Sequence, residues 1–449
     1  MMTSQAHRVA TLELSLAQME SDIRLKAEAL LLVEDARRHI LRQLNELRDP
    51  ISRLPLELSS QIFTHYVSRS EEHLVTLAEP LPLLNICKTW TDIALFTSSL
   101  WAFVRIDIPA NPRIEYVPLL KKWLARAGDD QLVISLNGCV YASPFLPLAM
   151  TNLIHLHAFH IGELDLEYHC YLHLLAHAVQ FPSLEIVRVR NVLHDSDPER
   201  STMAITGLVA VLETAPLLKT LSVDPPYAKK AGADFHVHHL NLASLKIQFY
   251  DSSRFLRHLT LPSLINLELR INALADMTCL ISFLAVSTPC LSSLAIHATH
   301  PELPRNTIER LFEAIPHLTS FHLLGSNFLL RDAVIDILTL KEDVLPSLTH
   351  FMIHIPEMWP RTAWYSPLTQ MLSARATPAS LTSFRLHLDD LDSDEYDYLA
   401  AAGEGFPSPD DWHVLRELRE GGMQIELGFF DLDYVSWPPH YAAEEGPQW

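Results

Sequence analysis

A short pattern recurs along the C-terminal two thirds of the chain and constrains its fold more than any other feature. The clearest copy is Pro262, Leu264, Leu267 and Leu269, with apolar residues two, five and seven positions after the proline. Further copies begin at Pro182, Pro216, Pro289, Pro316, Pro346 and Pro378, the last with one extra residue. From 262 to 378 the prolines recur at intervals of 27 to 32 residues, a period typical of stacked repeats.

Each copy predicts a short strand, because its last two apolar residues are two apart and therefore share one face of an extended segment. The proline can precede such a strand but cannot lie inside its hydrogen-bond ladder. Two weaker copies lack the proline, and their apolar residues are Leu242, Leu245 and Ile247, and Leu153, Leu156 and Ala158. Between copies, apolar residues at helical spacing predict helices over 203–215, 275–286 and 333–340. The expected fold class is α/β, with a parallel sheet and outer helices.

The pattern resembles leucine-rich repeats of the irregular kind over roughly residues 130–400. It lacks the regular Asn or Cys ladder of the commonest form; Asn191, Asn272 and Ser326 lie near the corresponding places. The resemblance implies a repeat solenoid that supplies a binding surface and no chemistry.

Composition limits the classes of partner and compartment. The formal net charge of −20 disfavours non-specific binding to nucleic acid, and 48% hydrophobic residues over 449 positions suffice for a continuous core. Five scattered cysteines without a Cys-x-x-Cys pair predict reduced, buried thiols, and hence the cytoplasm or the nucleus. The sequence contains no signal-peptide-like or membrane-spanning apolar run, so no membrane association is expected.

The N-terminal segment carries a heptad pattern. Alternating spacings of four and three link eleven positions, nine of them apolar, which we call the seam: Leu12, Leu16, Met19, Ile23, Lys26, Leu30, Val33, Arg37, Ile40, Leu44 and Leu47. The pattern predicts one long helix that ends before Pro50. Three interpretations remain open: a coiled coil that forms a homodimer, a helix that folds back on the body, and a short solvated helix.

Two helical segments follow the long helix. In the first, Pro55 opens a helix on which Leu58, Ile62 and Phe63 are expected to share a face. The second repeats apolar residues at helical spacing and contains Cys87 and Trp90, of which the tryptophan is large enough to dominate a small core.

These segments resemble an F-box, whose pattern begins Leu-Pro-x-Glu-Leu, as at 54–58, and continues into an Ile-Cys-Lys-x-Trp helix, as at 86–90. The resemblance implies a Skp-type adaptor and a cullin-RING ubiquitin ligase as partners. The implied adaptor contacts are Leu54, Pro55, Leu58, Ile62 and Phe63, whereas Cys87 and Trp90 would pack the domain itself. The loop between the halves, 68–82, is longer than in the minimal family form and resembles fungal F-box-like proteins. The alternative is a helical cap for the solenoid that binds no adaptor.

The chain is therefore expected to comprise a long helix or coiled coil (1–49), an F-box-like domain (50–104), a leucine-rich-repeat solenoid (105–400), and a C-terminal cap and tail (401–449). In the last segment, 412–420 predicts a helix and 423–430 an alternating strand.

The sequence offers little support for an enzyme. Phosphate-binding loops, nucleophile elbows and zinc-protease helices are missing, so no catalytic residue and no cofactor is expected. His169, His173 and His177 are spaced for one helix face and could bind a metal, but Leu174 stands where a zinc protease carries its general base. Solvated helix histidines are the simpler interpretation, so no metal site is expected.

The strand residues that alternate with the buried ones are expected to lie on the concave face of the solenoid. Arg or Lys fills five of these sixteen positions and Asp or Glu two. The candidate target-binding residues are Arg188, Arg190, Lys246, Arg270, His297, His354 and Arg385. The hypothesis is that this face binds an acidic or phosphorylated segment of a target protein. Chance, or cross-strand ion pairs, would explain the same composition.

Two functions compete at this stage. The first is the substrate-recognition subunit of a Skp/cullin/F-box ubiquitin ligase, and the second is a protein-interaction scaffold outside any ligase.

Overall fold

The computed structural model describes residues 2–67, 80–107, 116–137, 145–166, 179–190, 207–223, 235–248, 255–287, 289–298, 304–325, 328–341, 343–355, 362–376, 381–388 and 407–429. The chain divides into two compact units. The first contains residues 1–106 and 115–132, and the second contains residues 107–114 and 133–449. In the described part of the chain, no helix has both the length and the apolar character needed to cross a membrane.

The first unit is helical. Its helices are α1 (Met2–Arg48), α2 (Leu56–Val67), α3 (Lys88–Phe96), α4 (Ser99–Ala102) and α5 (Tyr116–Ala127), and β1 (Phe103–Asp107) follows α4. The long N-terminal helix predicted from the heptads is thus confirmed. Short 3₁₀ turns at Ile51–Arg53 and Pro82–Asn85 precede α2 and α3.

Two tryptophans form the centre of the first unit. The indoles of Trp101 and Trp123 are both buried and meet edge to face with centroids 4.7 Å apart. Trp123 Nε1 donates to the carbonyl of Trp101 at 2.9 Å, and Trp101 Nε1 donates to the carbonyl of Ala94 at 2.8 Å. This contact places α5 in the helical unit, whereas the sequence analysis had assigned it to the solenoid.

The second unit contains a large parallel sheet. Its strands are β2 (Leu132–Asn137), β3 (Ile161–Leu166), β4 (Ile186–Val189), β5 (Thr220–Val223), β7 (Ser244–Ile247), β9 (Asn266–Ile271), β10 (Ser293–Ala298), β11 (Ser320–Leu324), β12 (His350–Ile355), β13 (Ser383–Leu388) and β14 (Gln424–Phe429). Two short strands, β6 (Val237–His238) and β8 (Leu259–Thr260), pair separately.

Helices alternate with these strands. They are α6 (Phe145–Leu156), α7 (207–214), α8 (Leu274–Ser287), α9 (Arg305–Ala314), α10 (Phe328–Leu340), α11 (Tyr365–Ala376) and α12 (Pro409–Glu420). From α8 to α12, each helix packs against the next in chain order.

The sequence repeat coincides with the strand register. Equivalent apolar residues of neighbouring strands pair directly, as Leu267 does with Leu294 and Leu269 with Ile296. From β3 to β14 they form two buried columns in which no side chain is more than 5% exposed. The first column is Leu164, Val187, Leu221, Leu245, Leu267, Leu294, Phe321, Phe351, Phe384 and Ile425; the second lies two residues further along each strand.

Hydroxyl side chains connect successive strand openings. Thr319 Oγ1 donates to the carbonyl of Ser292 at 2.9 Å, and Thr349 Oγ1 donates to the carbonyl of Thr319 at 3.0 Å. Thr382 Oγ1 repeats the contact with the carbonyl of Thr349 at 3.1 Å. We call this row the hydroxyl ladder. It adds a side-chain donor to carbonyls that already accept from two backbone N–H groups of the next strand opening.

Two expectations need correction and one is confirmed. The strand prediction for the weak copy at Leu153 and Leu156 is wrong, because both residues lie on α6. The strand of this repeat is β3, and its apolar residues lie eight positions later than predicted. The helix and strand predicted near the C-terminus are confirmed, and the strand, β14, pairs in parallel with β13, with Ile425 opposite Phe384. Of the three described cysteines, Cys87 and Cys279 are buried thiols, but Cys290 is exposed.

Candidate functional site

Helix α2 presents an apolar stripe on the surface of the first unit. Leu58, Ile62 and Tyr66 follow one another at four-residue spacing and are 48%, 44% and 58% exposed. Leu54 and Pro55, just before the helix, are also exposed. Large apolar side chains in an exposed stripe are candidates for contact with another protein. The structure thus brings together four of the five predicted adaptor-binding residues.

Phe63, the fifth predicted adaptor contact, lies in the core. It is 1% exposed, and its ring centroid is 4.8 Å from that of Trp90. Residues 62 and 63 are about 100° apart around a helix, so Phe63 belongs to the neighbouring stripe with Ser59 and Val67, which are also buried. Phe63 is therefore a core residue that packs beneath the exposed stripe.

Several polar contacts hold the segments around α2 in place. The Cys87 side chain caps the N-terminus of α3 by accepting from the backbone N–H of Trp90. Trp90 Nε1 donates to the carboxylate of Asp49, just after α1. Ser60 on α2 and Thr97 after α3 share a hydroxyl hydrogen bond of 2.8 Å. These contacts orient α2 with its buried stripe inward and its apolar stripe outward.

The second candidate surface is the face of the parallel sheet opposite the buried columns, which we call the open face. All seven predicted target-binding residues lie on it, spread from β4 to β13. Most of its side chains are half-buried or exposed in the described part of the unit. Parallel sheets are normally covered on both faces. A polar, accessible face is therefore a feature that packing alone does not explain.

Carboxylates on neighbouring strands pair with most of the basic residues. Arg188 pairs with Glu163, Arg190 binds Asp165 through two nitrogens, Lys246 Nζ lies 2.9 Å from Glu268, and Arg385 pairs with Glu426. Arg270 Nε donates to Asn272 Oδ1 at 3.3 Å. Glu163, Asp165 and Glu426 were absent from the prediction, because β3 was assigned to the wrong residues and β14 was assigned to a C-terminal cap. With them included, the excess of basic residues on this face largely disappears.

Glu268 is the most connected carboxylate on the open face. It accepts from Lys246 and His297 at 2.9 Å each and from Gln248 Nε2 at 2.6 Å. Partial burial acts to raise its pKa, but the hydrogen bonds from His297, Lys246 and Gln248 and the positive charge of Lys246 outweigh that and lower the pKa to about 2. Glu268 is therefore ionised at neutral pH and connects β7, β9 and β10.

We expect Glu268→Gln to destabilise the chain at neutral pH by about 1–3 kcal/mol, because a charged acceptor is lost while its donors remain. A lowered carboxyl pKa stabilises the fold above the unfolded value of 4.5, and this contribution is lost as the pH falls towards 2. The difference between wild type and variant should therefore shrink from pH 4.5 downwards in urea unfolding. Glu417→Gln, at an exposed pair with His413, is the matched control and should change little. A gap that stays constant with pH would contradict this account of Glu268.

Between Glu268 and Glu426 the open face carries histidines. His354 and His387 are neighbours in register, with ring centroids 4.9 Å apart, and His322 lies on the adjacent strand. Burial lowers the pKa of His322, as do Arg385 and His350, while Glu268 acts in the opposite direction. Among the described residues of β10 to β13, this face carries no Asp or Glu. Because its pKa is lowered, His322 is neutral at neutral pH and becomes charged only under acidic conditions.

No group of three or more metal-ligating side chains occurs in the described ranges. His169, His173 and His177 lie outside them, so their spacing stays a sequence observation. Comparison with protein-family models gives no match, and no curated protein matches the chain.

Proposed function

We propose that this chain is the substrate-recognition subunit of a Skp/cullin/F-box ubiquitin ligase acting in the cytoplasm or nucleus. The observation that carries the proposal is the exposed stripe of Leu58, Ile62 and Tyr66 on a helix whose neighbouring stripe is buried. The stripe begins at Leu58, the last residue of the segment that resembles an F-box opening, and continues over the next two turns of α2. Purification of the chain with a Skp-type adaptor tests the proposal directly, and failure of the two to associate would contradict it.

The second unit would hold the target as a solenoid of the leucine-rich-repeat type. Two observations support this proposal: one strand recurs in each sequence repeat, and continuous columns of buried side chains lie behind the strands. Repeats of this kind present side chains from many strands side by side, which suits an extended protein segment. The open face is the surface that such a target would contact.

The ion pairs change which part of the open face is expected to bind the target. An acidic segment that bound Arg188 or Arg190 would have to displace Glu163 or Asp165, whereas the described residues of β11 and β12 carry His322 and His354 beside Leu324 and Met352 and no Asp or Glu. We therefore propose that an acidic or phosphorylated target contacts β11 and β12.

For a target captured through this face, we expect affinity to increase as the pH falls below about 6.5 and histidines become charged. Because the pKa of His322 is lowered, its own contribution should emerge only at the acidic end of that range. His322→Gln should flatten the dependence, as measured by titration calorimetry between pH 7.5 and 5.5. Arg188→Gln is the control, because Arg188 already pairs with Glu163. Affinity independent of pH in the wild type would exclude the histidine segment as the contact.

A scaffold outside any ligase is the second candidate. The exposed apolar seam of α1 favours it, because this surface offers a further site of assembly that the ligase proposal does not use. Purification from cells distinguishes the two functions: adaptor and cullin in stoichiometric amounts support the ligase, and other partners without them support the scaffold.

A further inference from the structure

Helix α1 is attached to the rest of the first unit along one side of its last turns. Arg42 Nη2 donates to Asn85 Oδ1 at 2.8 Å, and Asn45 Nδ2 donates to the carbonyl of Ile86 at 3.1 Å. Asp49, just after the helix, accepts from Trp90 Nε1. Residues 42, 45 and 49 lie on one side of a helix that turns 100° per residue.

The heptad seam lies on the opposite side. At 100° per residue, the mean direction of Ile40, Leu44 and Leu47 is about 170° away from that of the attachment residues. The attachment therefore leaves the seam accessible in the described part of the unit: Leu44 and Leu47 are 40% and 78% exposed. A helix that folded back on its own unit would bury the seam, so this interpretation of the sequence does not hold for residues 12–47.

The seam is large enough to sustain an interface. Its nine apolar side chains are 40–78% exposed: Leu12, Leu16, Met19, Ile23, Leu30, Val33, Ile40, Leu44 and Leu47. Covering them would remove roughly 700 Å² of apolar surface from water on each helix. That area is close to the about 800 Å² per partner of a standard protein interface. A second copy of the same helix matches both the length and the spacing of the seam.

The two seam cations determine the orientation of such a pair. In a parallel pair in register, Lys26 would face Lys26 of the second copy and Arg37 would face Arg37, which opposes like charges twice. An antiparallel pair centred near residue 28 removes both clashes. Lys26 then lies opposite Leu30, and Arg37 lies opposite Met19 and beside Glu20.

We propose that α1 joins two copies of this chain as an antiparallel coiled coil centred near residue 28. This arrangement pairs every seam position from 12 to 44. It places Leu12 opposite Leu44, Leu16 opposite Ile40 and Ile23 opposite Val33. The proposal is independent of the ligase assignment, because it uses neither α2 nor the open face.

Sedimentation equilibrium of the full chain at micromolar concentration tests the association. We expect twice the chain mass of 50.9 kDa. Ile23→Glu with Val33→Glu should shift the dissociation constant at least 100-fold towards monomer, since the antiparallel arrangement places these two carboxylates opposite each other in the two copies. The matched control is Leu25→Glu with Leu32→Glu, at exposed leucines of the same helix outside the seam, which should remain dimeric. A monomeric wild type, or equal loss in the control, would overturn the proposal.

Cysteine crosslinking tests the orientation in full-length chains carrying Cys290→Ser, with the chain without added cysteine as the blank. In the antiparallel pair, a chain with Ile23→Cys should crosslink to a chain with Val33→Cys when the two are mixed, and neither should crosslink to itself. In a parallel pair, each single variant crosslinks to itself. Crosslinked dimer from Val33→Cys alone would overturn the antiparallel arrangement.

Discussion

Replacing Leu58 and Ile62 together by Asp should abolish binding of the Skp-type adaptor while the chain remains folded. Both side chains are about half exposed, so the unbound protein tolerates the charges. In a complex, the same carboxylates would be desolvated against an apolar partner without a compensating cation. We expect the affinity to fall by at least 100-fold in a binding assay with purified adaptor.

Two controls separate this interpretation from general damage. Leu25→Asp with Leu32→Asp places the same charges on exposed leucines of α1 and should leave adaptor binding unchanged. Circular dichroism of the Leu58 and Ile62 variant should match that of the wild type. Retained adaptor binding would show that the stripe is not the docking surface, and loss of helical structure would indicate that the helical unit serves as a structural cap.

Phe351→Ala should be among the most destabilising single substitutions in the sheet unit, with a cost of about 3–5 kcal/mol. Phe351 is 1% exposed and lies between Phe321 and Phe384, with both pairs of ring centroids 5.8 Å apart. Removing the central ring leaves a cavity that the flanking strands cannot close without breaking their register. Urea unfolding monitored by circular dichroism measures the loss.

Met352→Ala is the matched control for Phe351→Ala. Met352 is the next residue on the same strand, but it lies half-buried on the open face. It should cost clearly less than Phe351→Ala, because fewer atoms leave a packed environment. Equal effects at the two positions would contradict the division of β12 into a buried and an open face.

The sequence repeat predicted the sheet well because each copy contains the signal for its own strand and many copies carry the same signal. In each copy two apolar residues two positions apart determine which side of the strand is buried, and the structure buries Leu267 and Leu269 as expected. The seam predicted α1 for the same reason. Of the two weak copies, Leu242, Leu245 and Ile247 are buried as expected. The other copy failed: Ile161 occupies the leucine position of β3, and Leu153 and Leu156, which fit the spacing, belong to a helix.

The candidate sites depended on contacts between residues far apart in sequence, and these could not be read from the pattern. The sequence pattern places Phe63 on the same helix face as Ile62. In the structure, Phe63 instead packs in the core against Trp90, which lies 27 residues later. Glu426 neutralises Arg385 from a strand 41 residues further along the chain. A periodicity identifies which face a residue occupies, but the charge of that face depends on the strand beside it.

The hydroxyl ladder has a consequence for how a chain of this kind changes in length over evolution. Thr319, Thr349 and Thr382 each make the same hydrogen bond to the preceding strand opening, and the residues that follow them enter the same buried columns. Loss of one complete strand and helix would bring together two surfaces that already fit, whereas loss of half of one would leave a carbonyl and an apolar column uncovered. Whole repeats are therefore the units by which such a sheet can be duplicated or shortened.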